Sequence, residues 1–401
     1  MGVSTGEDRD RSTIDDAALE GRRVVVRWRD GHRSIFHSIW LRHSHSFPFF
    51  PGRDVGSERR VGRDEAAPLS VDLTPEGNLR IAWSPKGDVS EYAAAWLRDH
   101  CSSTGERARR RRPVVTWDAS IAEDPPRASY ERVRTNDEAR LALYDQVLDY
   151  GFAILEDVPS VSGEVAKVGA HFGLVRLSAY GNADDPRVED VRVDPGLTMG
   201  TTKSDFLGPH TDTCWRLSLS GLVLMHCLKG SASGGETLLV DGFKVCEVLR
   251  QRYPEAFDLL SRVPLAYTSS VENGDEWRAL GRVITCDPEG NIVGFRFNER
   301  SLARLDLPED MIEPVYSAIE SLLDVLYDRA LWLQRKLAPG ALLVMDNQRV
   351  LHGRTAFDPT SGERHLQHCS VERDVFHNKY RQLARALGDE RWDQVLTWGV
   401  C

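Results

Sequence analysis

Apolar and polar residues recur along this chain in two rhythms. Between about residues 20 and 103, short apolar runs are broken by glycine turns, and the pattern occurs twice. Trp28-Arg29-Asp30-Gly31 leads through Ile35-Phe36 to Trp40-Leu41-Arg42, and Trp83-Ser84-Pro85-Lys86-Gly87 leads through Tyr92 to Trp96-Leu97-Arg98. Each copy reads as a strand, a turn, a second short element and a closing W-L-R segment, which predicts a small β-rich domain with pseudo-twofold character.

Further along, the spacing becomes helical. Leu141, Tyr144, Val147 and Leu148 share one face and predict a helix over 137–150, leading into a strand over 152–155. Further helices are expected over 163–172, ending at Gly173, and over 313–336, with Pro314 in the first turn. Pro339-Gly340 then turns into an apolar strand that carries His352. Residues 1–18 are polar and are expected to form a disordered tail. Pro125-Pro126 marks the expected boundary between a small domain, 19–125, and a larger one, 126–401.

Composition narrows the class. The chain has 401 residues, 41% hydrophobic and 28% charged, which suits a soluble globular protein with one large core and a smaller domain. A net charge of −10 argues against a nucleic-acid partner, because phosphate binding needs a concentrated basic surface. The run Arg107 to Arg112 reads as a solvated connection between domains. No apolar run approaches the roughly 20 residues of a membrane helix, and the first residues lack the apolar stretch of a secretory signal. The seven cysteines show no paired spacing and read as free thiols, so a cytoplasmic location is expected.

Chemistry concentrates at Pro209-His210-Thr211-Asp212. In a strand, residues i and i+2 point to one face, so His210 and Asp212 can converge on one metal ion. A third ligand is expected at His352, and two histidines with one carboxylate form the facial set of non-haem Fe(II) oxygenases, which leaves positions open. Gly234-Gly235-Glu236-Thr237 lies between these ligands, and Arg364 lies beyond them on the next expected strand. Cys214, two residues after Asp212, reads as a pocket-lining thiol or a buried bystander.

The order H-x-D, G-G-E-T, late His and Arg resembles the taurine dioxygenase-like Fe(II)/2-oxoglutarate dioxygenases. Ala179-Tyr180-Gly181, Leu224-Met225-His226-Cys227-Leu228-Lys229, Val240-Asp241-Gly242-Phe243, Pro254-Glu255-Ala256-Phe257, Leu351-His352-Gly353-Arg354 and Arg364-His365-Leu366 are similar to the γ-butyrobetaine hydroxylase and trimethyllysine dioxygenase branch. The likeness covers nearly the whole chain. It implies a mainly β fold with flanking helices, in which a double-stranded β-helix (jelly-roll) core carries the site beside the β-rich N-terminal domain. It also implies Fe(II), 2-oxoglutarate as co-substrate, O2, and succinate and CO2 as by-products. In such relatives the late arginine pairs with the far carboxylate of 2-oxoglutarate, here Arg364, and the turn's threonine, here Thr237, supports it. Arginine suits that task because its planar fork meets a carboxylate bidentately. A homodimer is implied by the same likeness.

Two departures from the family bear on function. Relatives bind structural zinc through cysteines after the first W-L-R; here that stretch is His43-Ser44-His45-Ser46-Phe47-Pro48-Phe49-Phe50, so structural zinc is not expected and the phenylalanines are expected to pack in its place. The aromatic cage for a trimethylammonium group keeps Tyr180, but the matching positions otherwise fall at Asp184, near Thr202 and at Ser370. Asn298 matches a position that contacts the substrate carboxylate; Lys203, Trp215 and Arg216 flank the motif as further candidate contacts, and Asp184 could meet a primary amine. Retention of Asp212 favours hydroxylation over halogenation. The expected activity is hydroxylation or desaturation of a small polar metabolite, an amino acid or derivative. The alternatives are a γ-butyrobetaine or trimethyllysine hydroxylase with a rebuilt cage, and a catalytically silent binding protein.

Overall fold

The computed structural model describes residues 10–46, 67–84, 87–193, 203–269 and 276–396. Phe47, Phe49, Phe50 and Thr202 lie outside them. The chain forms two compact units, Met1–Arg111 and Arg112–Cys401.

In the first unit, strands β1 (Ile14–Glu20), β2 (Arg23–Trp28) and β3 (Arg33–His37) form one antiparallel sheet followed by helix α1 (Ser38–Ser46). Strands β4 (Pro68–Leu73), β5 (Leu79–Trp83) and β6 (Asp88–Tyr92) form a second sheet, followed by α2 (Ala94–Asp99) and α3 (Thr104–Arg109). β1 begins inside the tail expected to be disordered; Ile14, and after a register shift Ala17 and Leu19, reach the core. The repeat is visible in side-chain detail. Trp28 Nε1 donates to Ser34 Oγ at 2.8 Å, and Trp83 Nε1 donates to Ser90 Oγ at 3.0 Å. Each W-L-R arginine crosses to the other copy: Arg42 lies over the Trp83 ring and pairs with Asp88, while Arg98 lies over the Trp28 ring and pairs with Asp30.

The second unit opens with Arg112, which is buried and paired with Asp149 and Asp145, so the basic run ends in the core of this unit. Then come β7 (Arg127–Ser129), α4 (Tyr130–Thr135), α5 (Asp137–Tyr150), β8 (Phe152–Glu156), α6 (Glu164–Phe172), β9 (Glu189–Val191), β10 (Leu207–His210), β11 (Leu222–Gly230), β12 (Ser233–Gly234) and β13 (Thr237–Asp241). They are followed by α7 (Gly242–Arg252), α8 (Pro254–Arg262), β14 (Pro264–Thr268), β15 (Arg278–Arg282), β16 (Ile284–Cys286), β17 (Ile292–Phe295), α9 (Glu309–Leu326), β18 (Trp332–Arg335), β19 (Leu342–Asp346), β20 (Val350–Arg354), β21 (Phe357–Asp358), β22 (Arg364–Val371) and α10 (Arg373–Ala386). Helix α5 matches its expected span because both ends are signalled: Asn136 accepts from the Ala139 amide, and Gly151, at φ 80°, turns the chain out.

Two sheets form the jelly roll. One has the order β7-β8-β19-β11-β22-β9, the other β10-β20-β13-β18. Phe152, Val223, Leu343, Met345 and Leu366 from the first meet Leu239, Leu333 and Val350 from the second, so the core lies between the sheets. The outer faces are covered by helices, α5, α6 and α10 on the larger sheet and α7, α8 and α9 on the smaller. β13 shows why each residue goes where it does: Leu238 and Val240 face the helices, Leu239 faces the inner core.

Two expected elements divide differently. The long helix runs from Glu309 to Leu326, not 313–336, and Pro314 lies within it. Asp328 accepts from the Ala330 amide in a short 3-10 turn, and the apolar run that mimics helical spacing becomes β18, paired with β13. The apolar strand expected to end on His352 is two strands. β19 belongs to the larger sheet, and a turn at Asp346–Arg349 carries the chain across to β20 in the smaller one. Arg349 fixes that crossing through a buried ion pair with Asp241, at 2.9 Å, and through bonds to the carbonyls of Val115 and Asp149.

Candidate metal centre

His210 ends β10 and stands opposite His352 of β20 in the antiparallel register, with ring centroids 4.5 Å apart. Asp212 lies in the turn beyond, so the H-x-D residues converge through a bend in place of a strand pleat. Thr213 occupies the left-handed region at φ 57°, and its hydroxyl accepts from the Ser220 amide. Asn347, in the turn between β19 and β20, holds Asp212 from both sides. Its Oδ1 accepts from the Asp212 amide at 2.7 Å, and its Nδ2 donates to the Asp212 carbonyl at 3.0 Å.

The three ligand-capable side chains meet. His210 Nε2 lies 3.4 Å from Asp212 Oδ1, His352 Nε2 lies 3.6 Å from Asp212 Oδ2, and their ligand atoms all fall within 4.8 Å of one another. His210 Nδ1 is 2.9 Å from the Gly208 carbonyl, a contact that leaves Nε2 facing the centre. Burial drives the His352 imidazole down to about 3, the neutral form that a metal needs. Burial would raise the Asp212 carboxyl, but the imidazoles of His352 and His210 outweigh it and hold it well below the usual range. Two imidazoles, that of His352 held neutral, and one ionised carboxylate suit Fe(II).

Arg364 starts β22 and sits by Thr237 and the Gly234-Gly235 turn in a small recess. Its Nη1 is buried without a hydrogen-bond partner among the described residues, and burial lowers its pKa. A Cβ on Gly235, which has φ 73°, would stand 3.0 Å from Arg364 Nε, so glycine is needed there both for conformation and for space. A guanidinium with this free donor beside a buried threonine fits the far carboxylate of 2-oxoglutarate.

A cavity of about 350 Å³ opens on the triad. Tyr180, Trp215, Arg216 and Asn298, the candidate substrate contacts, line it, and Ser370 stands in its wall. Asp184 and Lys203 are exposed and do not line it. Asp184 lies on a turn closed by Asn182 Oδ1, and the cavity carboxylate is Glu189 instead. Cys214 is buried outside the cavity lining, bonded to Thr211, with its thiol pushed up to about 12 by burial; it is a bystander.

Sequence reading missed His368, Glu189, Arg300 and Asn347. β9 pairs with β22 so that Glu189 is opposite His368. His368 Nδ1 lies 3.5 Å from Glu189 Oε2, and its Nε2 lies 3.6 Å from Asp212 Oδ2. Burial disfavours charge on this ring, yet Glu189 raises it to about 8. The spacing of these residues gave no signal, because only strand register brings them together.

Residues 110–370 match the family described as taurine catabolism dioxygenase TauD, TfdA. The chain is 29% identical to the γ-butyrobetaine dioxygenase of Pseudomonas sp. (strain AK-1), over 93% of this chain and 97% of that protein. It is 32% identical to the mitochondrial trimethyllysine dioxygenase of Rattus norvegicus, over 77% of this chain and 72% of that one. Among solved structures, a taurine dioxygenase from Burkholderia xenovorans is similar at 15% identity and a TM-score of 0.48, covering 61% of this chain and 87% of that one.

Proposed function

The chain belongs to the TauD, TfdA family, in the branch of the γ-butyrobetaine and trimethyllysine dioxygenases, and on that premise we propose how its residues divide the work and what they act on. The protein is an Fe(II)- and 2-oxoglutarate-dependent dioxygenase. In our reading His210, Asp212 and His352 hold the iron, and Arg364 with Thr237 holds the far carboxylate of 2-oxoglutarate. The observation that carries this is the convergence of the three ligand atoms within 4.8 Å, with a guanidinium nitrogen on the strand beyond that has no hydrogen-bond partner among the described residues.

Iron, 2-oxoglutarate and O2 together supply the oxidising power that hydroxylates a C–H bond as 2-oxoglutarate becomes succinate and CO2. The chain's own side chains do the rest. Asn347 fixes the Asp212 backbone, the Gly208 carbonyl sets the His210 ring, and Tyr180, Trp215 and Asn298 face the substrate. The substrate in this reading is a small polar metabolite, an amino acid or derivative. A second reading is γ-butyrobetaine or trimethyllysine, supported by the names of relatives that match most of the chain. We further propose a cytoplasmic homodimer; the six described cysteines are unpaired, which supports a reducing compartment.

The test is succinate formation from 2-oxoglutarate by the Fe(II)-loaded protein under O2, screened over amino acids, phosphonates, γ-butyrobetaine and trimethyllysine. Strong stimulation by the two quaternary ammonium compounds alone selects the second reading. No stimulation by any small polar compound sinks both.

A further inference from the structure

The charges in the cavity do not balance. Its wall carries Arg176, Arg216 and Arg300, and Glu189 is its one carboxylate besides Asp212 among the described residues. Arg176 pairs with Glu372 at 3.1 Å. Glu189 already faces His368 at 3.5 Å and accepts from the Ser178 hydroxyl. Arg216 and Arg300 have no carboxylate within ion-pair distance among the described residues. Beside them, Asn298 is 7% exposed; its Oδ1 accepts from the Arg300 amide, which leaves Nδ2 to donate into the cavity. Part of the aromatic surface is also committed, leaving Tyr180 as the cavity's other ring: the Arg216 guanidinium lies 4.0 Å from the Trp277 ring centroid and 5.8 Å from that of Trp215. A trimethylammonium group entering here finds neither a free carboxylate nor a free ring face around Trp215.

We propose that the substrate carries net negative charge, and that Arg216, Arg300 and the Asn298 amide hold its oxyanion groups. Acidic amino acids with two carboxylates, and aminophosphonates, share this chemistry. The guanidinium fork matches either oxyanion, and desolvation in the cavity strengthens the pairing. This rests on the reading of the cavity as the substrate site of an iron oxygenase.

The experiment is a binding titration of the anaerobic Fe(II) and 2-oxoglutarate complex, read by the change in total tryptophan fluorescence, to which Trp215 and Trp277 beside Arg216 contribute. The probes are L-glutamate, L-aspartate and 2-aminoethylphosphonate, with L-glutamine, L-asparagine, L-lysine and γ-butyrobetaine as comparators. An acidic probe is expected to bind at least roughly tenfold more tightly than its amide. Arg216→Gln and Arg300→Gln should each remove most of that preference, because the acid, with two oxyanion groups, loses more binding than its amide. Preference for the carboxylates or for the phosphonate separates the two sources. Equal binding of acid and amide, tighter binding of γ-butyrobetaine than of every acidic probe, or no binding by any acidic probe overturns the proposal. The visible absorption of the iron and 2-oxoglutarate complex is recorded on the same samples. Its presence with no charge preference rejects the oxyanion site alone, whereas its absence in the wild type rejects the metal centre, and the oxyanion site with it.

Discussion

Replacing Arg364 with methionine should move two observables in opposite directions. The guanidinium Nη1 is buried with no hydrogen-bond partner among the described residues, a state that ordinarily costs about 1–3 kcal/mol. Methionine removes that donor and keeps most of the apolar stem against Phe357, whose ring lies 5.3 Å from Arg364 Cζ. The ligand-free variant should therefore melt at the wild-type temperature or above. For 2-oxoglutarate the sign reverses. Truncating one partner of a buried charge pair costs about 2–5 kcal/mol, and the half-buried position of Arg364 places it at the lower end, roughly a 30- to 100-fold loss of affinity. The assay is thermal unfolding of the Fe(II)-loaded proteins, in the absence of O2, across a series of 2-oxoglutarate concentrations. At about 100 times its dissociation constant the ligand should stabilise the wild type by about 2.7 kcal/mol, and the variant by only about 0.4–0.9 kcal/mol at the same concentration. A variant that 2-oxoglutarate stabilises as much as the wild type would refute the role given to Arg364.

Arg349→Met should destabilise the fold by about 3–5 kcal/mol, measured by urea unfolding, because it leaves Asp241 buried and unpaired. Asn347→Ala should weaken Fe(II) binding roughly 10- to 100-fold by releasing the Asp212 backbone, as read by metal titration; unchanged affinity would reject that positioning role. Metal-free protein should lose stability as pH falls. The His352 imidazole is held at about 3 in the fold against its ordinary 6.5, so between these values the unfolded chain binds more protons. That stability is present above about pH 6.5 and is lost towards pH 3, and Asp212, also lowered, adds with the same sign. In His352→Gln the slope of melting temperature against pH over this window should flatten.

The centre was legible where chemistry is written in short motifs. His210, Asp212, His352, Thr237 and Arg364 each sit in a distinctive local string, and the glycines before Thr237 declare a conformation that other residues rarely adopt. Helix α5 was legible because Asn136 and Gly151 mark its ends. What escaped depends on register. Glu189 faces the centre because β9 pairs with β22, and Asp184, nearer in sequence to Tyr180, lies on an outer turn. The stretch from Leu342 to Arg354 is continuously buried, so its apolar pattern hid the turn that moves the chain between sheets. Trp332-Leu333 continued a helical spacing into β18 for the same reason: an apolar run alone does not separate a buried strand from a buried helix.

The most direct measurement is the amount of succinate formed from 2-oxoglutarate by the Fe(II)-loaded wild type and by Asp212→Ala, under O2 and with iron content determined on both. The wild type is expected to bind one equivalent of iron and to turn over in its presence. The variant is expected to bind little iron and to form no succinate above the protein-free background. Undiminished iron binding and turnover in Asp212→Ala would contradict the assignment of His210, Asp212 and His352 as the metal centre.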